Sequence, residues 1–235
     1  MKVIGIVGYK KSGKTTLGLG LTRALNEMGW RVSVVKHVSG DIDLQDADSS
    51  KYSVLAEGVA TVSSERTEII QKGGRILEDV MAYLHGDIVL VEGFKKEKTY
   101  PKIVCLREEQ EREALFDGLE ICTAGFDRSV AQYDIADVDH VREIARLAVE
   151  KAFKLPNLDC EKCGYKSCYD LARAIVQGTE TTDACLSLQP TVSISIDGRK
   201  MPLNGFTNTL FRDILLAMVS SLKGYRKGGI KIEMP

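Results

Sequence analysis

The chain has 235 residues, 44% of them hydrophobic and 28% charged, enough apolar content for one large domain or two small ones with a real core. Its 32 Lys and Arg against 33 Asp and Glu leave a formal net charge of -1 at a pI of about 6.3, which gives no overall electrostatic reason to bind nucleic acid. No apolar run approaches the ~20 residues that span a bilayer, the N-terminus reads as a strand and not a signal peptide, and a cytoplasmic protein is therefore expected.

Residues 2–7 read as a short buried strand. Gly8-Tyr9-Lys10-Lys11-Ser12-Gly13-Lys14-Thr15 then fits the Walker A pattern G-x-x-x-x-G-K-[ST] without a mismatch. Glycine lets such a loop wrap an oligophosphate closely, with successive N–H groups pointing inward. Lys14 is expected to bridge the terminal phosphates, and the Thr15 hydroxyl to hold Mg2+. Gly8, Lys11, Ser12 and Gly13 form the rest of the cradle. Thr16 opens a helix whose N-terminal dipole favours the same anion, and Leu17, Leu21, Ala24, Leu25 and Met28 give that helix an apolar stripe.

Gly29 stops the helix and residues 31–37 form a second strand. The acidic loop that follows carries Asp41, Asp43, Asp46 and Asp48. Leaving the C-terminal end of a parallel strand, it lies beside the phosphates. Asp41 or Asp43 then holds Mg2+ through water or orients an attacking water; the alternative is a solvated loop with Asp48 or Ser49 capping a helix through Val54, Leu55 and Ala56. Residues 59–63 read as a strand, 69–74 as a connector, and 75–85 as a helix with Ile76, Leu77, Val80, Met81 and Leu84 inward. The run Ile88-Val89-Leu90-Val91-Glu92 fits a strand buried on both faces and closing in an acid, the Walker B arrangement, with Glu92 at the Mg2+ shell.

Two more strands are expected over 102–106 and 119–124, joined by an acidic helix over 108–116, with Cys105 and Cys122 as small core residues. Asp127, in the turn after the last of these strands, is a candidate base contact. A helix over 139–153 closes a first domain of residues 1–155, an α/β layer structure around a mostly parallel sheet.

Beyond Pro156 stand Cys160-x2-Cys163-x4-Cys168-x16-Cys185, four soft thiolates suited to a 4Fe-4S cluster or to zinc. Three close ligands and one remote ligand favour the cluster. The segment 156–188 also resembles the small four-cysteine 4Fe-4S domain of electron-transfer and carbon monoxide dehydrogenase-associated proteins. It departs from that pattern at Leu186-Ser187, where Pro-Gly often follows the last cysteine. Residues 189–235 read as a small ββαβ unit, with a hairpin turn at Asp197-Gly198, an amphipathic helix from Phe206 to Leu222, and a last strand over 230–232. Its basic run at 223–227 is a solvated loop.

The loop at 8–15, the segment Lys36-His37-Val38-Ser39-Gly40-Asp41-Ile42-Asp43, and Val89-Leu90-Val91-Glu92-Gly93-Phe94 leading to Pro101-Lys102-Ile103 together resemble the molybdopterin-guanine dinucleotide biosynthesis protein B (MobB) family. The histidines that often follow the first Lys-His are here Val38 and Ser39. The resemblance implies a P-loop fold, GTP and Mg2+ as ligands, and a homodimer. It also implies a weak GTPase using Lys14, Glu92 and Asp41, and an accessory role beside a MobA-type nucleotidyltransferase. The cysteine segment is an addition to that pattern and is suited to docking on, or sensing, an apo-molybdoenzyme. The competing expectations are a redox-linked ATPase in cluster assembly or electron transfer, and a nucleotide-gated interaction protein with structural zinc.

Overall fold

The computed structural model describes residues 1–38, 47–73, 76–188, 192–196, 199–225, 230 and 232, without the side chains of 47–50. Asp41, Asp43 and the turn at Asp197-Gly198 lie outside the described residues.

The chain opens with β1 (Lys2–Gly8), α1 (Lys14–Glu27), β2 (Val32–Lys36) and α2 (Ala47–Leu55). A hairpin of β3 (Gly58–Val62) and β4 (Thr67–Gln71) and a one-turn helix α3 (Leu77–Met81) follow. Next come β5 (Ile88–Glu92), β6 (Lys102–Cys105), α4 (Glu111–Leu115), β7 (Glu120–Gly125), β8 (Tyr133–Asp134) and α5 (Val138–Lys151). The last third holds α6 (Cys168–Val176), two 3-10 turns (Thr182–Ala184 and Leu186–Leu188), β9 (Ile194–Ile196), β10 (Arg199–Met201) and α7 (Gly205–Ser220).

Six strands make one sheet in the order β2-β5-β1-β6-β7-β8, every pair parallel. Because side chains alternate across a strand, the continuous apolar runs divide between two layers. Ile4, Ile6, Ile88 and Leu90 face Leu17, Leu21 and Leu25 of α1 and Val141 and Ile144 of α5. Val3, Val89, Val91 and Val35 face the other way, with Tyr100 and with Leu77 and Met81 of α3. Asp137 caps α5 by accepting from the amides of Asp139 and His140, and these bonds hold its carboxyl below the ordinary range. Cys105 and Cys122 are buried core residues, and burial pushes both thiols up to about 12.

Several expected elements differ. Met28 is not on the buried stripe: it is 42% exposed and serves as the C-cap residue of α1, ahead of Gly29 at φ 85°. Residues 69–71, expected at the start of a connector, belong to β4, which pairs with β3 apart from the main sheet. The helix expected over 75–85 shrinks to α3, and Ile76, expected inward, is 63% exposed at its N-cap. The acidic helix shortens to α4. Val54 and Leu55 of α2 are exposed. Residues 230 and 232 are not strand. Among the described residues, no helix is long and apolar enough to cross a membrane.

The cysteine segment is seated on the sheet layer. Leu119, Phe153 and Leu155 share one buried cluster with Cys168, Leu171, Ala172 and Cys185, and Cys163 is packed against it. The Tyr169 hydroxyl donates to the Asp117 carbonyl, in the connection from α4 to β7. Asp117 accepts from the fully buried Lys102 at 2.6 Å and from Lys98 at 2.7 Å, and the two lysines hold its carboxyl below the ordinary range against the upward push of burial.

Candidate nucleotide and cysteine sites

The loop between β1 and α1 is shaped by what it lacks. A Cβ at Gly8 would lie 2.4 Å from the Ser12 hydroxyl and 2.5 Å from the Cys105 carbonyl. Gly13 sits at φ 84°, and a Cβ there would meet Ile135 at 2.2 Å. The backbone contact at Gly8 and the left-handed φ at Gly13 are both hostile to a side chain, so the fold itself favours the two glycines of the motif. Lys11 also adopts a left-handed backbone, at φ 65°. As the N-cap of α1, Gly13 has no side chain to satisfy the first helical amides, which leaves them for an anion. The Ser12 hydroxyl is buried without a hydrogen-bond partner among the described residues, a cost that a phosphate oxygen would relieve.

Lys14 folds back across the loop, its Nζ donating to the Tyr9 carbonyl at 2.6 Å. Thr15 Oγ1 donates to Glu92 Oε1 at 2.8 Å. This bond brings the expected Walker A hydroxyl and the expected Walker B acid together. It does so because β1 and β5 are adjacent, Ile6 lying opposite Glu92. A hydroxyl and a carboxylate side by side are hard oxygen donors, a set that fits Mg2+. Thr16 is the third residue of α1.

Three cations that sequence reasoning passed over also converge here. Lys36 Nζ lies 3.3 Å from Thr15 Oγ1 and 3.4 Å from Glu92 Oε1. Lys95 Nζ stands 3.9 Å from the centre of the Tyr9 ring, and Arg107 lies over the same ring at 5.9 Å. Desolvation lowers the Lys95 pKa first, and the nearby charge of Lys14 lowers it further. Like charges held together in this way mark a place suited to an anion. The signal for Lys36 is its register with Glu92 across β2 and β5, which becomes visible only once strand order is known. The Asp127 carboxylate, a candidate base contact, accepts from the Ser129 amide at 2.8 Å and hydroxyl at 2.7 Å, bonds that lower its pKa.

In the cysteine segment the backbone is unusual: Asn157, Asp159 and Glu161 are all left-handed, with φ of 58°, 43° and 57°. Asp159 Oδ1 accepts from the Cys168 amide at 2.6 Å, fixing the start of α6 beside this turn. Ser167 caps the helix through the Asp170 amide. Cys168 and Cys185 are buried, Cys160 and Cys163 half-buried, and all four are free thiols. Cys160 Sγ lies 3.7 Å from the Ser187 hydroxyl. Burial raises the Cys168 and Cys185 thiols, and the neighbouring Cys163 and Cys168 raise Cys185 further. Among the described residues, no three His, Cys, Asp or Glu side chains are gathered at metal-binding distance. Cys163, Cys168 and Cys185 nonetheless share one apolar cluster. An all-sulfur donor set in apolar surroundings fits a soft metal or an iron-sulfur cluster.

The family model described as Molybdopterin guanine dinucleotide synthesis protein B, MobB, matches residues 3–124, more than half of the chain. The chain belongs to the MobB family. A second family model, described as "Putative Fe-S cluster", matches residues 155–187 and spans all four cysteines of the segment. A Methanocaldococcus jannaschii protein named "Putative molybdopterin-guanine dinucleotide biosynthesis adapter protein" is 28% identical over 233 residues, covering 95% of this chain and 93% of that one. A Bacillus subtilis protein named "Probable molybdopterin-guanine dinucleotide biosynthesis adapter protein" is 30% identical over 123 residues, covering 48% of this chain and 69% of its own. The crystal structure of Bacillus subtilis MobB superposes with a TM-score of 0.54 at 20% identity, over 65% of this chain and 99% of that one. The fold of the sheet region is thus the MobB fold, and the Methanocaldococcus relative matches almost the whole chain, beyond the part that the Bacillus structure covers.

Proposed function

We propose that this protein is a GTP-binding adapter in the synthesis of molybdopterin-guanine dinucleotide, with weak GTPase activity and a 4Fe-4S cluster in its cysteine segment. The observation that carries the nucleotide reading is the 2.8 Å bond from Thr15 to Glu92 at the mouth of a Walker A loop, in a chain of the MobB family. The adapter role rests on the names of the relatives.

In this reading the amides of residues 8–15 cradle the phosphates, and Lys14 leaves the Tyr9 carbonyl to bridge the terminal pair. Thr15 and Glu92 would hold Mg2+, which would supply positive charge against the phosphates. Glu92, with Asp41 and Asp43 of the loop after β2, orients the water shell of the site. Hydrolysis is slow in this reading, and binding is the main task. Cys160, Cys163, Cys168 and Cys185 hold the cluster, a rigid surface for docking on or sensing an apo-molybdoenzyme. The division of labour follows three parts: residues 1–155 for nucleotide, 156–188 for the cluster, and 189–235 as a small accessory unit. The protein works in the cytoplasm as a homodimer, beside a MobA-type nucleotidyltransferase.

Anaerobic purification with metal and nucleotide analysis tests both sites together. A brown protein absorbing near ~400 nm, as thiolate-bound clusters do, and binding GTP more tightly than ATP is the expected result. Stoichiometric zinc without colour would remove the cluster, and a clear preference for ATP would remove the adapter reading.

A further inference from the structure

The point at which Thr15 and Glu92 meet already holds a positive charge. Lys36 is the last residue of β2 and Glu92 the last of β5, and the parallel pairing sets them opposite each other. From there the Lys36 side chain reaches inward, placing Nζ 3.3 Å from Thr15 Oγ1 and 3.4 Å from Glu92 Oε1. The Lys36 side chain is 49% exposed and that of Glu92 is 12% exposed, so the pair closes from the solvent side over a mostly buried acid.

The chemistry of the threonine hydroxyl makes this arrangement exclusive. A hydroxyl has one proton and two lone pairs. Its proton goes to Glu92. An ammonium has donors only, so Lys36 must direct an N–H at one of the two Thr15 lone pairs, which sets its charge against that of a divalent cation on the same oxygen. Two cations cannot share that oxygen and that carboxylate at such distances without strong repulsion.

We propose that Lys36 is a built-in counter-cation at the Thr15–Glu92 pair: it stands in for the divalent ion in the metal-free protein and must be displaced when a metal-nucleotide complex binds. This deepens the nucleotide reading of the loop and rests on it. Lys36 acts as a positioning residue. It keeps the Glu92 carboxylate compensated and Thr15 oriented before the ligand arrives, and it supplies a positive charge to phosphate when no divalent ion is present. Removing Mg2+ therefore costs less GTP affinity with Lys36 in place than without it.

The test is calorimetric titration of GTP into the full-length protein, once in excess Mg2+ and once in EDTA, for the wild type, Lys36→Met and Lys36→Arg. Far-UV circular dichroism and thermal unfolding check the fold of each variant, and Lys36→Gln replaces Lys36→Met if the latter does not fold. The wild type is expected to show a narrower ratio between the two dissociation constants than Lys36→Met. In Lys36→Met the EDTA affinity falls and the Mg2+ affinity holds or rises, so the ratio widens by about fivefold, the scale of a half-exposed ion pair. Lys36→Arg, which keeps the charge, stays closer to wild type. Mn2+ bound by the GTP complex, read by electron paramagnetic resonance, is held more tightly by Lys36→Met than by wild type. An unchanged ratio in Lys36→Met, or one equally wide in Lys36→Arg, overturns the role of the Lys36 charge while leaving the loop as a nucleotide site. Failure of the wild type to bind GTP in both buffers overturns the nucleotide reading and this inference with it.

Discussion

The phosphate loop and the cysteine segment each present reactive side chains to a charged guest, but they hold those side chains by different means. Around the loop the positions are set before any ligand arrives: two glycines whose places are hostile to a side chain, a threonine bonded to an acid, and a lysine bonded to the loop carbonyl. In the cysteine segment the scaffold is equally well anchored, with Asp159 fixing the start of α6 and Tyr169 tied to the α4–β7 connection. The sulfurs are not. They share an apolar cluster without meeting at ligand distance, and burial raises the Cys168 and Cys185 thiols. The difference follows from the bonding available to each. The loop's lysine and threonine find strong partners in a carbonyl and a carboxylate, whereas thiols form weak hydrogen bonds and gain strong partners only from a metal that takes their protons.

Four measurements would break or sharpen this contrast. The largest effect belongs to Lys14→Ala, which removes a charge made for phosphate while costing the fold one exposed bond to Tyr9. GTP affinity measured by calorimetry should fall at least about a hundredfold. Retained affinity would mean that the loop does not grip phosphate through this lysine. Next, Cys168→Ser should strip most of the iron from anaerobically prepared protein and change GTP affinity by less than about twofold, as for sites without shared partners; a larger change in GTP binding would show that the two sites are one system.

A smaller effect is expected from acid. Lys154 lowers the pKa of Glu78 and Lys102 lowers that of Asp117, in each case against burial, which acts upward. A carboxylate with a depressed folded-state pKa adds stability that is complete above its unfolded value and is lost as pH falls through the folded one. Urea unfolding should therefore weaken from about pH 4 downward, by on the order of 1 kcal/mol per group after solvent screening. A flat profile there would show that these pairs add nothing to stability. The smallest effect is that of Tyr169→Phe, which removes one hydrogen bond to Asp117 and should cost about 1 kcal/mol. At this chain length that is a drop of roughly 2–4 °C in Tm.

Much of the sheet was legible because its strands are buried on both faces. Residues 88–91 are an unbroken apolar run and 3–7 are interrupted only by Gly5, and the glycines and the Lys-Thr pair after the first run identify the turn into α1. The Glu92 partner of Thr15 was readable from the acid that ends an apolar run. Less legible was whatever depends on neighbours in space. The sequence Thr-Glu-Ile-Ile-Gln of β4 has little burial to report, because the hairpin stands outside the main sheet. Strand β8 has two residues, too short for any period. Ile76 fits an inward position only if α3 begins a turn earlier than it does. Lys36 ends β2 while Lys95 and Arg107 follow β5 and β6, and only the order β2-β5-β1-β6 brings them around Tyr9, Thr15 and Glu92.

The buried cluster of Leu119, Phe153 and Leu155 beneath α6 bears on how the protein is made. Synthesis proceeds from the N-terminus, and the sheet and its helices are complete before the cysteines leave the ribosome. Until then Leu119 and Leu155, both fully buried in the finished fold, have no cover. A chain halted at Pro156 would display that greasy patch to solvent and to its neighbours. The cysteine segment therefore acts as a late-arriving cover for the sheet layer, and a nascent chain remains in need of shielding there until the last of the four thiols has emerged.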